Sequence, residues 1–330
     1  MPDSNNLVKM SLGERIKRSL KSYKLELGMT IILVVLYIAL HFVTGTALTK
    51  GNLRNVLQSA APLLIMTMGQ LVVVITGGID LSVGSVYSLS GMACALVMLS
   101  TGSIAASVAV CLLVGILCGV INGVLISKLK MAPFIVTLAM QGAAASMTKI
   151  IAGGNSQTLQ LEAFKYFNRG HIIPWMRNYM LYMIIIVILM HIILRKTVFG
   201  RWVYSTGSNE EASRLVGIPV DKVKISCYTI SAFLSSLAAL LGASRLMTVE
   251  CTAGVGMELD AIAATCIGGA SLSGGLGTAL GALIGTLLTK GINNGINLLG
   301  INSFWSGTVT GLVIVIAVYV GNMASKKKRH

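Results

Sequence analysis

Gly77-Gly78-Ile79-Asp80-Leu81-Ser82-Val83-Gly84 interrupts an apolar run that extends from Ala60 to Leu99. Paired glycines end or bend a helix, and an aspartate beside them is costly in hydrocarbon unless it caps a helix or faces a polar cavity. The pattern returns as Gly268-Gly269-Ala270-Ser271-Leu272-Ser273-Gly274-Gly275, with Ser271 in the place of Asp80. Asp and Ser are both strong N-cap residues, so each is expected to restart a helix after its glycine pair. Apolar segments broken in this way mark the centre of internally repeated transporters. The two breaks point to transport.

Composition agrees. Of 330 residues, 55% are hydrophobic and 11% charged, with mean hydropathy +0.81. A soluble domain needs more polar surface, so the chain falls in the polytopic membrane class. Its 36 glycines suit close helix contacts in lipid. The net charge of +15 does not indicate nucleic acid, because the cations cluster beside apolar spans. Residues 9–24 and 195–224 hold six each, and Lys326-Lys327-Lys328-Arg329 holds four. This is the positive-inside pattern. The six cysteines form neither a CxxC pair nor a Cys/His cluster, so no metal site or disulfide scaffold is expected. No cleavable signal peptide is expected either.

Spans of about 20 apolar residues are predicted at 28–48, 58–76, 82–99, 103–127, 132–151, 178–195, 225–246, 258–270, 276–299 and 303–321. The result is an all-α protein of about ten membrane helices, with both termini on the cytoplasmic side of the inner membrane. Lys128, Lys130 and the basic segment 196–224 fall on that side too; Lys50 and Arg54 are exceptions. Three regions follow: a basic amphipathic segment 1–27 on membrane lipid, a permease domain 28–321, and a basic tail 322–330. Ser11 and Glu14 form a capping box in the first. The internal repeat is imperfect, because Asn122-Gly123 and its counterpart Asn294-Gly295 lie closer together than the two breaks do.

Residues 208–217 carry a second helix signal: Ser208 and Glu211 as a capping box, Glu210 and Glu211 in the first turn, and Gly217 as the stop. Leu215 and Val216 give the short helix an apolar end, and so short a helix must pack against something.

Glu211-Ala212-Ser213, followed at Gly217, resembles the Glu-Ala-Ala…Gly loop of permease subunits of ABC importers. Gly77–Gly84, Ala132–Leu138, Glu258–Gly275 and Asn293–Trp305 are similar to the ribose/simple-sugar branch, over roughly residues 28–321. The resemblance implies that 208–217 docks on a separate ABC ATPase subunit. It also implies a permease dimer, with a second copy or a paralogue, fed by an extracytoplasmic sugar-binding protein. Ser213 departs from the family's second alanine by a small-for-small change.

No Gly-x4-Gly-Lys-[Ser/Thr] phosphate loop is present, so the chain is not expected to be an enzyme or to hold a cofactor. Neutral sugars are held by hydrogen bonds and ring stacking. Candidate pathway residues are therefore Gln70, Asp80, Asn122, Phe134, Gln141, Asn293, Asn294, Asn297 and Trp305. A membrane amide also commonly bonds a neighbouring helix, and Asp80 is equally suited to capping. Glu258 and Asp260 are expected at the outer mouth. A permease for branched-chain amino acids or nucleosides shares the mechanism. An ion-coupled secondary transporter places charges in its spans, where Asp80 is the clear candidate, and a structural scaffold would not need the two breaks.

Overall fold

The computed structural model describes residues 24–312 and 315. The capping box at Ser11, the tail 322–330 and the second part of the span expected at 303–321 lie outside the described residues. Helices α1 (Lys24–Thr44), α2 (Lys50–Ile75), α3 (Val83–Thr101), α4 (Ile104–Ser127) and α5 (Pro133–Ala152) come first. A two-residue strand β1 (Gln157–Thr158), α6 (Glu162–Arg169), α7 (Asn178–Lys196), α8 (Val198–Ser208) and α9 (Glu210–Leu215) follow. Then come α10 (Val220–Leu246), β2 (Thr248–Val249), α11 (Met257–Ile267) and α12 (Ala279–Leu298). The all-α expectation needs one small correction, since β1 and β2 pair antiparallel, Gln157 opposite Val249.

Local chemistry sets the helix ends. Thr49, Ser103, Thr197 and Thr278 accept backbone N–H bonds at the starts of α2, α4, α8 and α12. Pro133 opens α5, where its missing N–H costs nothing. Among the described residues, seven helices (α1–α5, α7 and α10) are long and apolar enough to cross a membrane. Over the span expected at 258–270, the helix α11 has only 11 residues, roughly 16 Å, about half a bilayer core. α12 is 20 residues long but carries Lys290, Asn293, Asn294 and Asn297.

Most of the described helices share one core, with α2 at its centre, where every residue from Ala60 to Ile75 is buried, while α1 packs through Tyr37 and Leu40 in a smaller cluster with Val56. The end of the bundle carrying α8 and α9 is its lower end. α2, α4 and α7 run down to it, while α3, α5 and α10 run up. α4 lies on α10 along Gly115, Gly119 and Gly123, one helical turn apart. A Cβ on Gly119 or Gly123 would stand 2.7 Å from α10 backbone. Only glycine permits that approach.

Gly119→Val forces these two helices apart. Overpacking costs about 1–3 kcal/mol, so the detergent-solubilised protein is expected to unfold at lower temperature. Gly142→Ala, where a Cβ meets nothing within 4 Å, serves as the neutral control. Equal melting temperatures for Gly119→Val and wild type would refute this packing.

Candidate functional site

The first glycine break delivers Asp80 into the interior. α2 stops at Ile75, Gly77 takes φ +78°, and an extended stretch leads to α3. Asp80 is fully buried. Its Oδ1 accepts from the Ser82 N–H at 3.0 Å and the Ser82 hydroxyl at 2.6 Å, and its Oδ2 from the Ser231 hydroxyl of α10 at 3.0 Å. The capping expectation is therefore corrected. Asp80 closes a turn onto the residue two ahead, and Ser82 occupies the N-cap position of α3. Ser271 forms the same kind of turn, accepting from the Ser273 N–H at 3.3 Å. It caps no helix either, because Thr278 begins α12. The second glycine pair still ends α11, with Gly268 as C-cap and Gly269 at φ +88°.

Around Asp80 the structure gathers residues from five elements. Asn122 of α4 donates to the Ser82 hydroxyl at 2.9 Å, while Thr137 of α5 donates to the Ile79 carbonyl at 3.3 Å. With its amide nitrogen turned toward the Asp80 carbonyl, Gln70 of α2 pairs with both backbone groups of Asp80 at 3.2 Å. The Asn122 Oδ1 and the Tyr228 hydroxyl are buried here without partners. Of the predicted residues, Gln70, Asp80 and Asn122 thus meet in one polar knot. Ser82, Thr137, Ser231 and Tyr228 were missed, although serines at 231 and 235 already mark one face of an apolar span.

A second buried carboxylate lies higher. Glu258, expected at the outer mouth, is only 6% exposed, which corrects that placement. Residues 250–256 turn inward after β2, so α11 begins inside the bundle. The Gly254 N–H donates to the Ser88 hydroxyl at 2.9 Å, and Gln141 donates to the Glu258 Oε1 at 3.0 Å. Gln141 stands roughly 12 Å along α5. Any side chain at Gly84 would overlap the Glu258 carboxylate, so the first turns of α3 and α11 converge on it. The Glu258 Oε2 is buried without a partner.

The remaining candidates do not join this site. Asn294 exchanges side-chain bonds with Asn52 at 2.9 and 3.0 Å, and the Asn293 Oδ1 is buried without a partner. Asn297 is exposed. Phe134 and Trp305 stand on outer faces, 55% and 58% exposed, so they do not wall the knot. Asp260 pairs with Lys290 at 3.3 Å.

At the lower end, α9 is a capped, ion-paired helix. Its cap is Asn209, whose side chain accepts from the Ala212 N–H at 2.9 Å. Ser208 is instead the last residue of α8, and its hydroxyl donates to the Tyr204 carbonyl, so the cap lies one residue later than predicted and, with Ala212 three residues on, no capping box forms. Glu210 pairs with Arg214 at 2.9 Å and with Lys224. Burial pushes its carboxyl up, but the bonds from Lys224 and Arg214 outweigh this and hold it below the ordinary value. The Ser213 hydroxyl, buried, lies 2.9 Å from the Ser205 hydroxyl and donates to the Asn209 carbonyl at 2.8 Å. Gly217 ends the segment at φ +83°. Glu211 is exposed, and Leu215 and Val216 form an open apolar tip, 89% and 75% exposed.

The upper end is cationic. Arg169 donates to the Arg245 carbonyl and Arg177 to the Arg169 carbonyl, each at 3.2 Å. Burial and the charges of Arg54 and Arg169 hold the Arg177 guanidinium below its usual range. Among the described residues, none of the four has a carboxylate partner.

Membrane-length helices packed around buried polar groups define a polytopic membrane protein. Residues 52–318 match the family described as branched-chain amino acid transport system / permease component. The chain is 44% identical over 307 residues to the Probable ABC transporter permease protein y4mJ of Sinorhizobium fredii, spanning 93% of this chain and 92% of that protein. It is 39% identical to the ribose import permease protein RbsC of Bacillus subtilis, over 91% and 94% of the two chains. It is 34% identical to the fructose import permease protein FruF of Bifidobacterium longum, over 99% and 94%. No solved structure matches. The chain belongs to this family of ABC transporter permease subunits.

Asp80→Ala strands buried donors from Ser82 and Ser231, each costing about 1–3 kcal/mol, so folded protein in the membrane is expected to fall. Asp80→Asn keeps an acceptor oxygen and should accumulate near wild-type level. Equal membrane levels for the two variants would contradict a structural role for these bonds.

Proposed function

We propose that the chain is the membrane translocation subunit of an ATP-driven importer of a simple sugar, ribose-type or related. The observation that carries this reading is the apolar tip Leu215-Val216, held out on a capped and ion-paired segment. Exposed aliphatic side chains on a water-facing loop are a docking feature, and the complement is an apolar groove on a partner. That partner is an ABC ATPase subunit, with Ser208, Glu210, Glu211, Ala212 and Gly217 shaping the segment that enters it. ATP is hydrolysed there. The lower end is then cytoplasmic, as the nearby Lys128, Lys130, Lys196 and Lys222 favour, and both termini lie on that side of the inner membrane.

Four arginines at the opposite end suit an acidic face on an extracytoplasmic sugar-binding protein. The relatives named for ribose and fructose support a sugar substrate, while the family description leaves branched-chain amino acids as the alternative. Ten spans, an internal repeat and a second permease subunit complete the proposal. The matching turns at Asp80 and Ser271 support the repeat. The early start of α11 supports a discontinuous eighth span.

Reconstituted alone, the chain is expected to hydrolyse no ATP and to take up no radiolabelled ribose under a proton or sodium gradient. Asp80 and Glu258 are buried carboxylates of the kind an ion-coupled carrier uses, so gradient-driven uptake would replace this reading with that one.

Docking has its own test. Leu215→Asp with Val216→Asp removes the apolar tip without touching the cap or the ion pairs. The double variant should insert normally yet lose co-purification with the ATPase by at least about tenfold, the loss expected for a buried apolar anchor. Undiminished capture would exclude the tip as the docking element.

A further inference from the structure

The two glycine breaks, far apart in sequence, meet at the lower end of the bundle. The Gly275 N–H donates to the Ile75 carbonyl at 2.8 Å, and a Cβ on Gly77 would lie within 4 Å of Ser273 and Gly274. The last turn of α8 covers this junction. Any side chain at Gly207 would overlap the Ile75 carbonyl and crowd Gly275 N at 2.7 Å, so α8 rests on the junction backbone to backbone. The Tyr204 hydroxyl, one turn earlier, donates to the Gly277 carbonyl at 2.6 Å. α8 is itself joined to α9 by the Ser205–Ser213 hydroxyl contact.

We propose that Tyr204 is a positioning residue that ties the docking segment to both glycine breaks at once, with Gly207 as the contact surface. This rests on the reading of α9 as the ATPase-docking helix. A push on the Leu215 tip passes through the Ser205–Ser213 contact into α8. From there it reaches the end of α2 through Gly207 and the 268–278 loop through Tyr204. α2 leads through its break to Asp80, and the loop leads back through α11 to Glu258. The two buried polar groups therefore shift together. Without the tyrosine hydroxyl, α8 keeps its backbone contact with Ile75 and Gly275 through Gly207 but loses the bond that holds Gly277, so the end of the loop that leads into α12 follows α8 less closely.

Tyr204→Phe removes only the hydroxyl. In the complex with its ATPase, reconstituted in vesicles with the binding protein and radiolabelled ribose, ATPase capture should match wild type. Ribose taken up per ATP hydrolysed should fall by about tenfold. In the purified chain without ATPase, amide exchange across residues 274–278 should rise by about tenfold while residues 230–245 stay unchanged. Unchanged exchange in 274–278, or an unchanged ribose-to-ATP ratio, overturns the proposal. So does loss of ATPase capture, which would make Tyr204 part of docking rather than transmission. If the unmodified chain captures no ATPase, the docking reading fails on its own, and the joint stands or falls on the exchange measurement.

Discussion

A carboxylate buried among apolar helices is the constraint on which this bundle turns. Removing a charged or polar group from water without replacing its hydrogen bonds costs several kcal/mol. Asp80 meets that demand with the Ser82 N–H and the hydroxyls of Ser82 and Ser231. These donors sit on different elements, so the demand organises more than one turn. α10 must bring Ser231 to the same point that the chain after α2 reaches, and Asn122 of α4 must reach Ser82. The glycines Gly115, Gly119 and Gly123 make this possible by letting α4 and α10 nearly touch. Close packing and polar satisfaction are one requirement here, since a wider helix spacing would pull Asn122 and Ser231 away from the turn.

Much of this was legible. Near the paired glycines, α2 ends at Ile75 and α11 at Ile267, with Gly268 as its C-cap. The helical class, the short segment before Gly217 and its apolar end were readable because each rests on local chemistry. The capping assignments were misplaced, by one residue at Ser208, two at Asp80 and seven at Ser271, for a definite reason. Asp80, Ser82, Ser208, Asn209 and Ser271 are all of types whose side chains can accept a backbone N–H bond, and an N-cap and a two-residue turn use the same side chains. At 208–209, α8 runs on through Ser208 and the chain turns extended at Asn209, φ −162°, which leaves Asn209 as the cap of α9.

What was not legible depends on chain path. Glu258 opens a short helix, and an acid in a first turn reads equally well at a membrane surface or within it. The residues before it turn inward because β2 pairs with β1, ninety residues away in sequence, and because Gly254 can approach Gly84. That Phe134 and Trp305 stand on outer faces was not legible for a related reason. An aromatic residue in a membrane segment carries no mark that separates a face toward the interior from a face toward lipid.

The polar groups brought together are mostly bonded to one another. Gln70 is committed to the Asp80 backbone, Gln141 to Glu258 and Asn294 to Asn52. Such a set offers a polyol few free partners until helices move. Separating α5 from α11 would break the Gln141–Glu258 bond and expose an amide and a carboxylate together. Sugar hydroxyls both donate and accept, so they can replace that bond one for one, whereas an aliphatic solute would leave both groups unpaired at about 1–3 kcal/mol each. The Gln141–Glu258 bond thus satisfies the amide nitrogen and one carboxylate oxygen only while α5 and α11 stay together.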